Sequence, residues 1–309
     1  MKWVISGGTG FIGAKLIASL RARSEPPSIV VFSRKSKPTN DASLRVVAWT
    51  PEEEGPWMDE IAGADVVVHL AGAGVMDERW SPSRKEEIRS SRVKSTELMS
   101  RAIVRARATS GEAPSVFVSA SAVGWYGTRK DDVICTEDTP PAHDFLASVC
   151  VAWEAAAEPA REAGVRVVHP RIGIVFGAGG GALAKMVPPF KAFVGGPVGD
   201  GTQWTSWVHV IDVVRAIEFA AKNKAITGPF NVTAPQPATM NDVAKTIGTV
   251  LHRPSVFRVP AFALRAAFGA EMADVMLTGP RAIPKVLVDG GFTFEFPELR
   301  AALENCLSS

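Results

Sequence analysis

Short apolar runs alternate with amphipathic stretches through the first half of the chain, the pattern of a parallel sheet with crossover helices. Lys2–Ser6 reads as a first strand. Residues 11–23 read as a helix, because Phe11, Ile12, Leu16, Ile17 and Leu20 fall at helical spacing. Residues 28–32, behind Pro26 and Pro27, form a second predicted strand and Leu44–Ala48 a third. The stretch 65–70 carries Val66, Val67, Val68 and Leu70 and suits a strand buried on both faces. A long helix over 84–107, a strand over 115–119, a second long helix over 143–163 and a strand over 165–170 follow. Beyond Arg171 the rhythm changes. Gly and Pro become dense across 173–201, and shorter helices are predicted over 211–222, over 241–251 and near 297–306. No internal repeat or low-complexity linker separates the two parts.

The turn after the first strand gives this pattern a chemical meaning. Gly7, Gly10 and Gly13 are spaced G-x-x-G-x-x-G between strand and helix, a variant of the dinucleotide fingerprint. Gly7 permits the tight turn, Gly10 lets backbone approach a pyrophosphate, and Gly13 lets helix and strand pack closely. The helix N-terminus adds free N–H groups and a partial positive charge. The fold class expected is therefore α/β: a Rossmann-type doubly wound parallel sheet with a smaller C-terminal substrate lobe. Residues 1–172 make the dinucleotide-binding domain, with 205–232 packing back on it, and 173–309 make the lobe. At the end of the second strand, where NAD-selective folds place a carboxylate, the chain reads Phe32-Ser33-Arg34-Lys35. Cations there suit a 2′-phosphate and select NADP(H) over NAD(H).

Composition narrows the class without redirecting it. Lys and Arg number 34 against 32 Asp and Glu, so no net field marks a nucleic-acid or membrane partner. The arginines between Arg101 and Arg107 alternate with Ala, Ile and Val and read as the wet face of a helix. Three cysteines (Cys135, Cys150, Cys306) argue against a disulfide framework, and neither they nor the five dispersed histidines have metal-ligand spacing. No apolar stretch approaches the ~18 residues of a membrane helix. With no room for a signal peptide before the first strand, a cytoplasmic protein is expected.

GGTGFIG (residues 7–13), VVVHLAG (66–72), SASAVGWYG (119–127) and the stretch 169–177 resemble the extended short-chain dehydrogenase/reductases, which include the nucleotide-sugar epimerases. SRVKST (91–96), SWVHVIDVV (206–214) and the tail 280–303 resemble an atypical branch of epimerase-family proteins. The resemblance implies a cofactor cleft lined by Gly7, Thr9, Gly10, Phe11, Ile12 and Gly13. It implies that Ser33 and Arg34 meet the 2′-phosphate, and that Leu70, Ala71 and Gly72 pass beneath the cofactor. Relatives of this kind often dimerise through their two long helices, so a homodimer through 84–107 and 143–163 is expected.

The superfamily's usual chemistry uses a Ser with a helical Tyr-x-x-x-Lys pair, in which Lys lowers the Tyr pKa for proton transfer. Ser121 occupies the Ser position, but the register of the helix puts Leu146 at the Tyr position and Cys150 at the Lys position. Tyr126, the single tyrosine, has Lys130 four residues on; Gly127 and Asp131-Asp132 make that segment a loop. Tyr126 is nevertheless expected beside the cofactor as a lone donor, so the candidate catalytic pair is Ser121 and Tyr126. Cys150 reads as a core thiol or a proton carrier, and Glu154 as a buried carboxylate or a helix-face residue. Glu137 and Asp138 precede a Pro pair at the cleft mouth. His209 and Asp212 read as organisers of the interlobe hinge, and Arg171 as a binder of a substrate anion or of a structural carboxylate. Residues 203–207 (QWTSW) suit a flat or sugar-like ligand, or the seam between lobes. Two functions fit. One is an NADP(H)-dependent oxidoreductase or epimerase acting on a carbonyl or sugar-type small molecule. The other is a non-catalytic NADP(H)-binding sensor or interaction protein.

Overall fold

The computed structural model describes residues 1–35, 41 and 43–308. In chain order the first half runs β1 (Lys2–Ser6), α1 (Phe11–Arg21), β2 (Ser28–Ser33), β3 (Leu44–Ala48), β4 (Val66–His69), α2 (Pro82–Ser110), β5 (Val116–Ser119), β6 (Ser121–Ala122), β7 (Ile134–Cys135), α3 (Phe145–Ala155), α4 (Glu158–Glu162) and β8 (Arg166–Ile172). The second half continues with β9 (Ile174–Gly177), β10 (Gly180–Gly181), α5 (Leu183–Lys191), β11 (Trp204–Thr205), β12 (Trp207–His209), α6 (Val210–Lys222), β13 (Gly228–Val232), β14 (Ala238–Thr239), α7 (Met240–Leu251), α8 (Ala261–Phe268), α9 (Ala270–Met276), β15 (Arg281–Ala282), α10 (Lys285–Asp289) and α11 (Leu299–Leu307).

The main sheet has the order β13-β8-β5-β4-β1-β2-β3, with parallel pairings throughout. The chain starts at β1, builds outward through β2 and β3, then returns to β1's other side as β4. That reversal leaves a crevice above the carboxyl ends of β1 and β4, where ligands of open α/β sheets sit. Alternation along the strands sends side chains to both faces. Trp3, Ile5, Val31 and Val68 pack with Leu16 and Leu20 of α1 and Ile217 of α6. Val4, Phe32, Val67 and Phe117 pack with Met99 and Ile103 of α2. After β12 the chain returns to this domain: α6 packs beside α1, and β13 pairs with β8. Leu287 and Phe292 also join the first core, which the sequence pattern does not indicate. The second lobe has its own core, including Phe176, Leu183, Phe190, Trp207, Ile247 and Leu303.

One predicted element is corrected. The helix expected over 143–163 is broken into α3 and α4 around Ala156 and Ala157. Pro159 lacks an N–H and cannot continue the α3 ladder, but it is tolerated in the first turn of a new helix. The arginine face of α2 points to solvent, where Arg101 and Arg105 pair with Glu54 and Asp59.

His69 is fully buried, and burial pushes its pKa from 6.5 down to about 3. Between those values the unfolded chain binds a proton that the folded chain refuses. Stability therefore falls as pH drops from 6.5 towards 3, by about 1.4 kcal/mol per pH unit from this group. Urea midpoints at pH 7, 5 and 4 should show that slope, and His69→Asn should be shallower. Equal slopes for the two proteins would contradict the assignment.

Candidate functional site

Gly7 turns the chain with φ +71°, and a Cβ there would stand 2.7 Å from the Leu70 carbonyl carbon. The Gly-rich turn and the segment after β4 thus touch along the crevice floor. A Cβ at Gly13 would overlap the Gly7 carbonyl oxygen, so Gly13→Ala forces turn and helix apart. We expect Gly13→Ala to abolish ligand binding at this turn, or to unfold the protein outright; unchanged melting and ligand titrations would contradict the packing. Gly10 is the N-cap of α1 and supplies no side-chain cap. The first helical bond runs from Ala14 N–H to Gly10 O, which leaves the N–H groups of Phe11, Ile12 and Gly13 for a ligand. Thr9, Gly10 and Gly72 are exposed on the crevice wall, and Leu70 and Ala71 are half-buried between them. The Phe11 ring instead packs on the β9–β10 hairpin. A Cβ at Gly177 would come within 2.7 Å of its Cζ, which explains part of the glycine density beyond Arg171.

At the end of β2, Ser33 is half-buried and its Oγ accepts the Lys35 N–H at 3.3 Å. Arg34 and Lys35 are exposed, and among the described residues no carboxylate pairs with either. A second cation was not singled out in the sequence. Arg92 of α2 lies against Gly72, with its guanidinium 5.2 Å from the centre of the Trp153 ring. It donates to the Ile88 carbonyl at 3.0 Å and has no carboxylate partner among the described residues. Burial lowers its pKa. A desolvated cation without a counter-ion is costly and invites an anionic ligand. The only sequence signal was an Arg on the inward row of a helix, indistinguishable by pattern from its exposed neighbours.

Leu146, Cys150 and Glu154 form one row of α3, spaced by four residues. A Cβ at Gly124, in the 3-10 turn Val123–Tyr126, would stand 3.4 Å from Leu146 Cβ and 3.5 Å from Cys150 Sγ. The Cys150 thiol donates to the Ala122 carbonyl at 3.7 Å, and burial pushes its pKa up to about 12. It is a core thiol and not a proton carrier near neutrality. One turn on, Ser121 Oγ donates to Glu154 Oε1 at 2.6 Å. Arg171 grips the same carboxylate with two bonds, Nε to Oε1 at 2.9 Å and Nη2 to Oε2 at 3.0 Å. Its guanidinium carbon lies 3.7 Å from the centre of the Trp125 ring. Arg171 is 2% exposed, so of its two sequence readings the structural carboxylate is the one that holds.

Tyr126 departs from expectation. It is 1% exposed; its hydroxyl donates to Asn231 Oδ1 at 2.7 Å and accepts from Arg171 Nη1 at 3.3 Å. Burial raises its pKa to about 12. The phenol is part of the core beneath the cleft and is not presented to a ligand, while Lys130 is exposed in the loop beyond. The phenol's apolar body and the adjoining β8–β13 pair draw it inward. Glu137 is also buried there: Oε1 accepts the N–H groups of Asn231 at 2.9 Å and Val286 at 3.1 Å, tying the C-terminal segment to the sheet. Asp138 is exposed.

The hinge residues serve as anchors. His209 caps α6 through Nδ1, and Asp212 accepts the N–H groups of Glu295 and Phe296 at 2.7 and 2.9 Å. Trp207 is core, whereas Trp204 is half-buried and lines a cavity of about 220 Å³ with Thr202, Gln203 and residues 129–132. Among the described residues no helix is long and apolar enough to cross a membrane, and no cluster of His, Cys, Asp and Glu could hold a metal.

A parallel sheet reversing at its first strand, with a glycine turn and an uncapped helix above it, defines a Rossmann-type α/β protein. The chain belongs to the NAD dependent epimerase/dehydratase family, whose model matches residues 3–233. Residues 259–306 match a second model, described as a domain of unknown function, DUF1731. The chain is 40% identical over 307 residues to the chloroplastic epimerase family protein SDR39U1 homolog of Arabidopsis thaliana, covering 97% of this chain and 84% of that protein. It is 35% identical to the epimerase family protein YfhF of Bacillus subtilis, covering 100% and 98%. The crystal structure of human epimerase family protein SDR39U1 (isoform 2) with NADPH superposes with a TM-score of 0.87 at 31% identity, covering the whole of both chains.

Proposed function

We propose that this protein binds NADP(H) in the crevice above β1 and β4 and acts as an oxidoreductase or epimerase-like enzyme on a carbonyl or sugar-type small molecule. The observation that carries the cofactor reading is the combination of the uncapped α1 N-terminus with Arg34, with which no carboxylate among the described residues pairs, where an NAD-selective fold needs a carboxylate. The NADPH in the human relative supports it. Gly7, Thr9, Gly10, Phe11, Ile12 and Gly13 form the phosphate turn, Ser33 and Arg34 take the 2′-phosphate, and Leu70, Ala71 and Gly72 form the floor. Arg92 supplies a cation to the shared part of the dinucleotide. When bound, the nicotinamide supplies a hydride donor or acceptor.

Arg92→Ala should therefore weaken NADPH and NADH alike, by roughly tenfold each, as expected for loss of a charged hydrogen bond. A loss confined to one of the two would place Arg92 at the 2′-phosphate instead, and no loss in either would remove it from the site.

Ser121 is the polar group left near the chemistry, with its proton held by Glu154. At 2% exposure Ser121 is as closed to a ligand as Tyr126, so a water in the crevice, and neither hydroxyl directly, carries the proton in this reading. The second reading, a cofactor-binding protein without turnover, is favoured by Leu146 and Cys150 where a Tyr and a Lys are needed. Mass analysis of small molecules released on denaturing freshly purified protein separates the two. A hydroxy or carbonyl compound recovered with the cofactor supports an enzyme; cofactor alone, with no oxidation of NADPH across a carbonyl panel, favours the second reading.

A further inference from the structure

Three buried side chains join the two backbone turns that face the crevice. Ser6 is the residue before Gly7, and His69 is the residue before Leu70; they are register partners in β1 and β4. Ser6 Oγ lies 2.5 Å from His69 Nδ1, and His69 Nε2 lies 2.9 Å from Ser95 Oγ on α2. All three residues have 0% exposure. The donors can be assigned by elimination. The Ser95 hydroxyl donates to the Ser91 carbonyl at 2.7 Å, so towards the ring it can only accept. Nε2 therefore carries the proton, Nδ1 is bare, and the Ser6 hydroxyl donates to it. Each donor in the chain then meets one acceptor, from β1 through β4 to α2. One helical turn back, Ser91 Oγ accepts the Ala73 N–H at 3.1 Å and so holds the far end of the same segment.

We propose that His69 is a positioning residue for the cofactor: a neutral, two-ended spacer that fixes the Gly7–Gly13 turn, the Leu70–Ala73 segment and α2 relative to one another. The proposal rests on the cofactor reading above. A purely apolar side chain could fill the same volume, but it would leave the Ser6 hydroxyl without its acceptor and the Ser95 oxygen without its donor, and let the two turns drift. A ligand gripped from both turns at once, and by Arg92 of α2, is sensitive to such drift. The burial that keeps the ring neutral also keeps the spacer from acquiring a second donor that would clash with Ser6.

The test compares the full-length wild type with Ser95→Ala, His69→Leu and His69→Gln, and with Val167→Ala as a control. Val167 is 2% exposed in β8, two strands from β4 along the sheet and in register with Phe117 and Val67 instead of with either turn, so its truncation lowers stability alone. Two readouts are taken well below every melting temperature: the NADPH dissociation constant, and amide exchange over residues 7–13 and 70–73 without ligand. We expect His69→Leu to weaken NADPH at least tenfold and Ser95→Ala severalfold, both with faster exchange at the two turns. His69→Gln should recover part of each effect, and Val167→Ala should leave both readouts within twofold of wild type. Unchanged exchange and affinity in folded Ser95→Ala and His69→Leu would overturn the proposal. So would an equal change in Val167→Ala. If the wild type fails to bind NADPH, the cofactor reading falls, and the exchange data still decide whether the brace orders the turns. If His69→Leu does not fold, Ser95→Ala, which removes one hydroxyl, carries the test.

Discussion

Arg34→Ala is expected to weaken NADPH binding by roughly 10- to 100-fold while leaving NADH within about twofold of wild type. The magnitude follows from losing one or two charge-assisted hydrogen bonds to a phosphate, each worth about 1.5–3 kcal/mol when desolvated and less at an exposed site. Arg34 is exposed and has no carboxylate partner among the described residues, so its removal costs the fold little and the loss reads directly on the ligand. Added salt should shrink the difference between the two cofactors, because an exposed cation is screened. Equal affinities of Arg34→Ala and wild type for NADPH would make Arg34 a bystander. This outcome also differs from that of Arg92→Ala, which is expected to affect both cofactors.

Among side-chain truncations, a large stability effect is expected at Arg171. Arg171→Met leaves the Glu154 carboxylate, 11% exposed, with Ser121 as its one remaining hydrogen-bond donor among the described residues. It also removes a donor from the Tyr126 hydroxyl and from the Glu137 carbonyl. Breaking a buried pair from one side costs about 3–5 kcal/mol, because the charge left behind is uncompensated. In a chain of this size that corresponds to a fall of roughly 5–8 °C in melting temperature. Adding Glu154→Leu to Arg171→Met removes the stranded charge and should recover more than half of the loss. A single variant that melts with the wild type would show that solvent reaches Glu154 freely. A double variant no better than the single would show that the packing of the arginine over Trp125 matters more than its charge.

Much of the first domain was legible because its signals are local. The valine run of β4 has no polar face, α1 repeats apolar positions at helical spacing, and the glycine turn sits between β1 and α1. The family resemblance put Leu70–Gly72 beneath the cofactor; the structure has Leu70 and Ala71 against the glycine turn. Signals that depend on distant partners were not legible. Arg171 and Glu154 are 17 residues apart in sequence, and nothing local says that they pair or that Ser121 joins them. Tyr126 was read towards the cleft because its neighbours are cleft residues. Its burial is decided by Asn231 and Arg171, which arrive from β13 and β8. The break between α3 and α4 was visible in Pro159, but the alanines around it extend the helical pattern and mask it. Arg92 shows the same limit: that no carboxylate among the described residues pairs with it becomes apparent only once its neighbours are in place.

The central claim is that the crevice above β1 and β4 is built for NADP(H). Calorimetric titration of the purified wild-type protein with NADPH and, separately, with NADH tests it most directly. The account predicts tight one-site binding of NADPH and binding of NADH at least tenfold weaker. Equal binding of both would contradict the role given to Arg34, and binding of neither would contradict the cofactor site itself.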